Sequence, residues 1–243
     1  MPTVRKSVNP GTSRTRGPAG APPPSKEVYP PRADTFLLLP YAEVAAGRSF
    51  LEIGTGSGLV ALTAARRGAR VVATDRNPHA LARLAAIARS EDLDLHVVRT
   101  DLARGLGRFD RVVANPPYLP TRPEERDLDR WHNLAVDGGP DGCATTARLV
   151  AALPDLLRPG GSAFILTSTV QSPERLREIW EAWTAKGGSV EPVAHRDLEG
   201  ERLEVVRLRG PGRRPSRSSA PRTKAPRLGT RDRPRTPRAH RSG

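Results

Sequence analysis

The sequence predicts an α/β protein, a doubly wound and mostly parallel seven-stranded sheet with an antiparallel edge strand. Three observations carry that prediction. Between residues 29 and 209, short β-branched runs alternate with Ala/Leu/Arg stretches of helical period, the pattern of parallel strands covered by helices. The first strand runs straight into the glycine-rich turn Gly54-Thr55-Gly56-Ser57-Gly58, which opens a helix. The last two strands meet at Glu199-Gly200 with no helix between them, so they form a terminal hairpin.

The elements follow in chain order. Thr35–Ala46 has helical period, with a break or kink at Pro40. Ser49–Ile53 is a strand, Leu59–Arg67 a helix and Arg70–Thr74 a strand. Pro78–Ser90 is a helix with Asn77 as its cap and proline at its first position. Leu95–Arg99 and Arg111–Ala114 are strands. Thr145–Leu157 is a helix, weakened at Pro154 and closed by Arg158-Pro159-Gly160-Gly161, and Ser162–Ser168 is the next strand. Ser172 leads into the helix Pro173–Lys186, which Gly187-Gly188 stops. Val190–Asp197 and Arg202–Leu208 complete the sheet.

The formal net charge of +14 is not spread along these elements. Residues 1–28 hold five Lys/Arg and one acid, and residues 210–243 hold eleven and one. The remaining 24 basic and 24 acidic residues lie in 29–209, a neutral domain. The expected organisation is therefore a disordered, basic, Pro-rich tail over 1–28, one catalytic domain over 29–209, and a disordered Arg/Pro/Ser-rich tail over 210–243. Both tails have too little apolar surface to offset the entropy of ordering. Such tails suit a ribosome, RNA or DNA tether. The plainer reading, solvated linker from a biased composition, is preferred. Arg outnumbers Lys 36 to 4, and no aromatic residue interleaves the tail arginines for base stacking. The single Cys143 excludes an internal disulfide. No apolar run approaches a membrane span and no secretory leader is evident, so a cytoplasmic, membrane-free protein is expected. His79, His96, His132, His195 and His240 lack metal-ligand spacing, and no metal is expected.

The candidate site gathers at strand ends. Gly54, Gly56 and Gly58 let the backbone turn tightly and approach a ligand at a helix N-terminus. Asp75 closes the second strand, 21 residues after Gly54, where a carboxylate can accept both hydroxyls of a ribose. Asp101 follows the third strand and can accept from an adenine amino group, with Leu102 beside it. No phosphate-binding G-x-x-x-x-G-K-[ST] loop is present. The ligand that fits is a nucleoside with a short non-phosphate extension, S-adenosylmethionine. The fourth strand ends at Asn115-Pro116-Pro117-Tyr118, 14 residues after Asp101. The Asn115 oxygen and the Pro116 carbonyl can accept the two N–H bonds of a planar NH2, the prolines hold them rigidly, and Tyr118 can stack on the plane. These residues point to methyl transfer onto an amide or amino nitrogen.

Glu52–Gly58, Asp75, Asp101 and Asn115–Tyr118 together resemble the Rossmann-like class I methyltransferases that modify amide or exocyclic amino nitrogens. "VYPPRADTFLLL" before the glycine loop and "DGGPDG" (Asp137–Gly142) after the prolines narrow the likeness. They resemble the HemK/PrmC-like protein-glutamine N-methyltransferases, in the short archaeal and eukaryotic branch that lacks an N-terminal helical domain. The resemblance spans Val28–Leu208. It implies that Thr35, Glu52, Gly54, Gly56, Gly58, Asp75, Asp101, Leu102 and Asn115 bind the cofactor, with Tyr29 and Asp34 near it. It also implies that Asn115, Pro116, Pro117 and Tyr118 hold the acceptor, with Asn115, Pro116 and Tyr118 acting in catalysis and Asp137–Gly142 shaping the acceptor side. The implied acceptor is the glutamine of a Gly-Gly-Gln motif in a translation release factor. An activator subunit, common in that branch, is not expected here. The chain reads Ala33-Asp34-Thr35 where the family has Glu-Asp-Thr, and Arg32 stands for a small residue, which leaves the acceptor more open than the cofactor. The alternatives are a nucleic-acid adenine or guanine amino-methyltransferase, which the same four residues would serve, a small-molecule methyltransferase, and a binding module without activity.

Overall fold

The computed structural model describes residues 28–211, Asp127 excepted; the two basic tails lie outside those residues but for Val28, which is buried, and Gly210 and Pro211. Seven strands form one sheet in the order β3-β2-β1-β4-β5-β7-β6. Their ranges are β1 Ser49–Ile53, β2 Arg70–Asp75, β3 Leu95–Arg99, β4 Phe109–Ala114, β5 Leu157–Ser168, β6 Ser189–Leu198 and β7 Glu201–Arg209. The first five pair in parallel, while β7 runs antiparallel to both β5 and β6. The antiparallel character therefore falls at the hairpin end of the sheet, with β7 one place in from the outermost β6.

The described residues form six α-helices: α1 Ala33–Leu38, α2 Leu59–Arg66, α3 Pro78–Ser90, α4 Arg130–Val136, α5 Ala144–Leu156 and α6 Pro173–Thr184. Strand residues alternate between two apolar layers. Phe50 of β1 enters a layer with α1, α2 and α3, while Leu51 and Ile53 enter a layer with α5 and α6. All five residues of β1 are buried, as expected for a strand covered on both sides.

Most boundaries match the sequence reading to within two residues, and the exceptions have local causes. The first helix is α1 followed by a 3-10 turn over Leu39–Ala42, not one helix to Ala46. Pro40 has no N–H to continue the α ladder, so the chain tightens, with the Leu39 N–H donating to the Phe36 carbonyl. Helix α5 passes through Pro154 and ends before Arg158-Pro159-Gly160-Gly161. Those four residues instead form an irregularity inside β5, between the pairs Phe109↔Leu157 and Arg111↔Ser162. Helix α4 was not anticipated at all.

Candidate active site

Strands β1 and β4 lie side by side with Ile53 opposite Ala114, so Gly54 and Asn115 leave the sheet together. The chain turns to opposite faces from there, α2 to one and α5 to the other. That divergence opens a crevice at the carboxyl ends of the strands. The glycine loop forms one lip. The Gly54 and Thr55 N–H groups both donate to the Thr74 carbonyl at 2.9 Å, which ties the loop to the end of β2. Gly54 has φ +72°, a left-handed backbone that L side chains rarely adopt.

Two adjoining cavities fill the crevice. The larger, about 460 Å³, is lined by Gly54, Asp75, Asp101, Leu102, Asn115, Pro116 and Pro117, with Arg126, Asn133 and Arg148 among the others. The smaller, about 120 Å³, is lined by Tyr29, Asp34, Gly56, Tyr118 and Trp131 among others. Both share Gly54, Asp75, Asn115, Pro117 and Leu134, so they are two ends of one site.

Asp75 accepts the Gly56 N–H at 2.9 Å on one oxygen and the Asn77 N–H at 2.8 Å on the other. Arg76 is a further backbone donor, and the carboxylate keeps acceptor capacity for a ligand hydroxyl. Burial raises its carboxyl above the ordinary range, against the pull of those backbone donors. Asp101 is ion-paired with Arg148 of α5. Leu102 takes a left-handed φ of +56°, and its carbonyl accepts the Thr74 hydroxyl at 2.7 Å.

Asn115 is the centre of the crevice. Its Nδ2 donates to Asp34 Oδ2 at 2.9 Å. Its Oδ1 is buried and has no hydrogen-bond partner. An unpaired buried acceptor is costly unless a ligand completes it. Tyr118 is half-buried, and burial, with Glu201 and Asp34 nearby, pushes its phenol well above the ordinary value. It therefore stays protonated at neutral pH and is no general base. Asp137–Gly142 braces this segment from behind. Leu119 N–H donates to the Val136 carbonyl at 3.0 Å, Gly138 N–H to the Leu119 carbonyl at 2.9 Å, and Thr121 N–H to the Gly139 carbonyl at 3.0 Å.

Three of the named residues, Glu52, Gly58 and Thr35, line neither cavity. Glu52 shares the α2 side of β1 with Phe50, and its Oε2 accepts Thr55 Oγ1 at 2.6 Å and the Ala61 N–H at 2.9 Å. It props the glycine loop from beneath and lines neither cavity. Gly58 caps α2 at a left-handed φ of +77°, where a Cβ would also sit 2.8 Å from Leu84; it needs glycine for backbone conformation and packing. Thr35 also lines neither cavity; its N–H and hydroxyl donate to Asp34 Oδ1, and Asp34 is the residue that reaches in. Sequence reading missed Arg148 and helix α4. The helix was legible: Asp129 caps it by accepting the Trp131 N–H at 2.8 Å, and Trp131, Leu134 and Ala135 stand at helical spacing. Cys143 is buried behind the site, and burial next to Asp141 pushes its thiol up to about 11, so it stays a protonated thiol. No group of three His, Cys, Asp or Glu suited to a metal occurs among the described residues, nor a helix long and apolar enough to cross a membrane.

Comparison with known proteins agrees with this geometry. Residues 33–134 match the family model described as the methyltransferase small domain. A Methanocaldococcus jannaschii chain named for protein N5-glutamine methylation is 37% identical over 182 residues, spanning 74% of this chain and 90% of that one. The mouse methyltransferase HEMK2 is 36% identical over 196 residues, spanning 75% and 90%. The release factor glutamine methyltransferase of Mycolicibacterium smegmatis is 36% identical over 195 residues, spanning 75% and 67%. Among solved structures, the E. cuniculi Mtq2-Trm112 complex, titled as methylating the termination factor eRF1, superposes with a TM-score of 0.58 at 24% identity. That match spans 76% of this chain and 99% of the matched one, and it bears on the fold.

Proposed function

Because this chain belongs to the HemK-like family of protein-glutamine methyltransferases, we propose that it methylates the side-chain amide of a glutamine, that of a Gly-Gly-Gln segment in a translation release factor. The observation that carries this reading is the buried, unpartnered Oδ1 of Asn115, an acceptor with no donor, at the meeting of the two cavities.

S-adenosylmethionine is the methyl donor in this reading, and when bound it supplies an electrophilic sulfonium methyl. Three observations support the fit. Asp75 lines the crevice with acceptor capacity suited to ribose hydroxyls. Asp101 and Leu102 line the same cavity, suited to an adenine edge. The left-handed Gly54 brings backbone, not side chain, to the junction.

The protein's own contribution is orientation and charge placement. An amide nitrogen shares its lone pair with the carbonyl and is a poor nucleophile. Asn115 Oδ1 and the Pro116 carbonyl accept its two N–H bonds, which aims the nitrogen and stabilises positive charge as it develops there. The two prolines pre-place those acceptors, and Tyr118 packs the amide plane. The surplus proton leaves to solvent after transfer, so no buried base is required. The nucleic-acid alternative is less well supported: the described domain carries balanced charge, and the relatives are named for protein glutamine.

The test is transfer of radiolabelled methyl to a purified release factor, to the same factor with its Gly-Gly-Gln glutamine replaced by alanine, and to RNA. Label on the native factor alone is expected. Label on RNA, or equal label on the alanine form, would overturn the assignment. Running the purified chain by itself also reads whether a companion subunit, such as Trm112 beside Mtq2, is required.

A further inference from the structure

We propose that Asp34 is a positioning residue that fixes which end of the Asn115 amide faces the acceptor. It thereby restricts the site to groups that donate N–H. The inference rests on the reading that Asn115 meets the acceptor.

A primary amide is nearly symmetric in shape, but its two ends have opposite hydrogen-bonding character. Nothing in Asn115 itself decides which end enters the crevice. Asp34 decides it. A carboxylate has only acceptors, so it holds the NH2 end, at 2.9 Å, and leaves the oxygen for the ligand. Turning the amide over would set Oδ1 against Oδ2, two acceptors with no proton between them, in a place where Asp34 is 3% exposed. Asp34 cannot swing aside to relieve this. Its Oδ1 accepts the Thr35 N–H at 2.6 Å and the Thr35 hydroxyl at 3.2 Å, and the Tyr29 hydroxyl donates to Oδ2 at 3.4 Å.

Specificity follows from the fixed end. A glutamine amide brings N–H to the waiting oxygen. A glutamate carboxylate of the same shape would bring oxygen to oxygen, beside a second carboxylate. A site with one unpaired acceptor rejects the analogue that lacks the donor.

Asp34→Asn makes a sharp test because it preserves shape. The Thr35 N–H keeps an oxygen at the Oδ1 position, so the new NH2 faces Asn115. Asn115 must then turn over and present its own NH2 to the acceptor. Asn115→Asp places two carboxylates face to face. The double variant, Asp34→Asn with Asn115→Asp, restores the pattern. The amide introduced at position 34 donates to one oxygen of the carboxylate introduced at position 115, and the other oxygen faces the acceptor.

The experiment measures kcat and KM on the release factor and cofactor affinity by calorimetry for the wild type, both single variants and the double. Each single variant is expected to lose about 10²-fold in kcat. Cofactor affinity should hold in Asp34→Asn, and the double should recover about tenfold over either single variant. Undiminished kcat in Asp34→Asn, or a double no better than the poorer single, would overturn the proposal. In ¹⁵N NMR of the ligand-free protein, the hydrogen-bonded Asn115 NH2 proton should return to the ordinary amide range in Asp34→Asn. An unmoved signal would also overturn it. If that signal moves while the wild type fails to label any release factor, the acceptor assignment fails and the orientation of Asn115 stands.

Discussion

Half-buried Asp75 and buried Glu52 are two carboxylates near the ends of neighbouring strands, and their partners give them different duties. Asp75 accepts the Gly56 and Asn77 N–H groups on its two oxygens and lines the crevice. In Asp75→Asn one of those N–H groups meets an NH2 instead of an acceptor. Loss of charge-assisted bonds to a ligand lowers affinity by about 10²-fold, and the mismatched loop lowers stability by about 1–3 kcal/mol. Calorimetry with S-adenosylmethionine and urea denaturation read the two losses separately; unchanged affinity would remove Asp75 from the cofactor site. Glu52 lines neither cavity. Burial is the largest influence on it and lifts its carboxyl to about 8, against the opposing bonds from Thr55 and Ala61. Between its ordinary value of 4.5 and that raised value, the folded chain keeps a proton that the unfolded chain has lost. Stability therefore falls as pH rises through that window, by at most about 1.4 kcal/mol per unit. Glu52→Gln keeps an oxygen for both donors and has no proton to lose. Its unfolding free energy should be flatter than that of the wild type between about pH 6 and 8. Parallel curves would mean that Glu52 is already charged in the folded state.

At the scale of elements, the segment from Asn115 to Leu119 owes its position to the loop behind it. Gly142 has φ +72°, and a Cβ there would drive into the carbonyl oxygen of Tyr118 and against Gln171. Gly105 has φ +82° with open space around it. The pair separates backbone strain from collision. Gly105→Ala should cost about 1–2 kcal/mol, the strain alone, while Gly142→Ala should cost more than about 3 kcal/mol. Melting curves measure this, and methyl transfer should fall in Gly142→Ala even where the fold survives. Equal losses at the two positions would mean that the loop does not brace the clamp. The same contrast explains what was legible in the sequence. Strand β1, helix α3 and strand β3 were readable to the residue because period, cap and burial are local signals. The strand-end residues were readable because a parallel sheet gathers its carboxyl ends on one edge. The bond from Asn115 to Asp34 spans 81 residues, and the pairing of Asp101 with Arg148 spans 47; no local pattern encodes either. Glu52 lines neither cavity because strand alternation turns it toward α2, which its spacing from the glycines does not reveal. Helix α4 was missed because it is seven residues long and lies between proline and glycine runs that read as loop.

For the whole molecule, the site and the charge belong to different stretches of chain. The domain that holds the crevice balances 24 basic against 24 acidic residues over 29–209, so the net +14 comes from the ends. Surface steering of a release factor by long-range charge therefore cannot come from the domain as a whole. Nucleic-acid affinity is then expected from phosphate contacts by the terminal arginines. Such contacts weaken with salt by a slope of about 0.7 per phosphate on single strands. Removing 1–27 and 212–243 tests this expectation. The shortened chain keeps every residue of both cavities. It should methylate a release factor with the kcat/KM of the full chain and lose salt-dependent retention on RNA. Binding titrations at several salt concentrations, beside the transfer assay, measure both. A shortened chain that folds and binds cofactor but no longer labels the factor would place the terminal arginines in acceptor recognition. Persistent RNA retention would place a basic surface on the neutral domain instead.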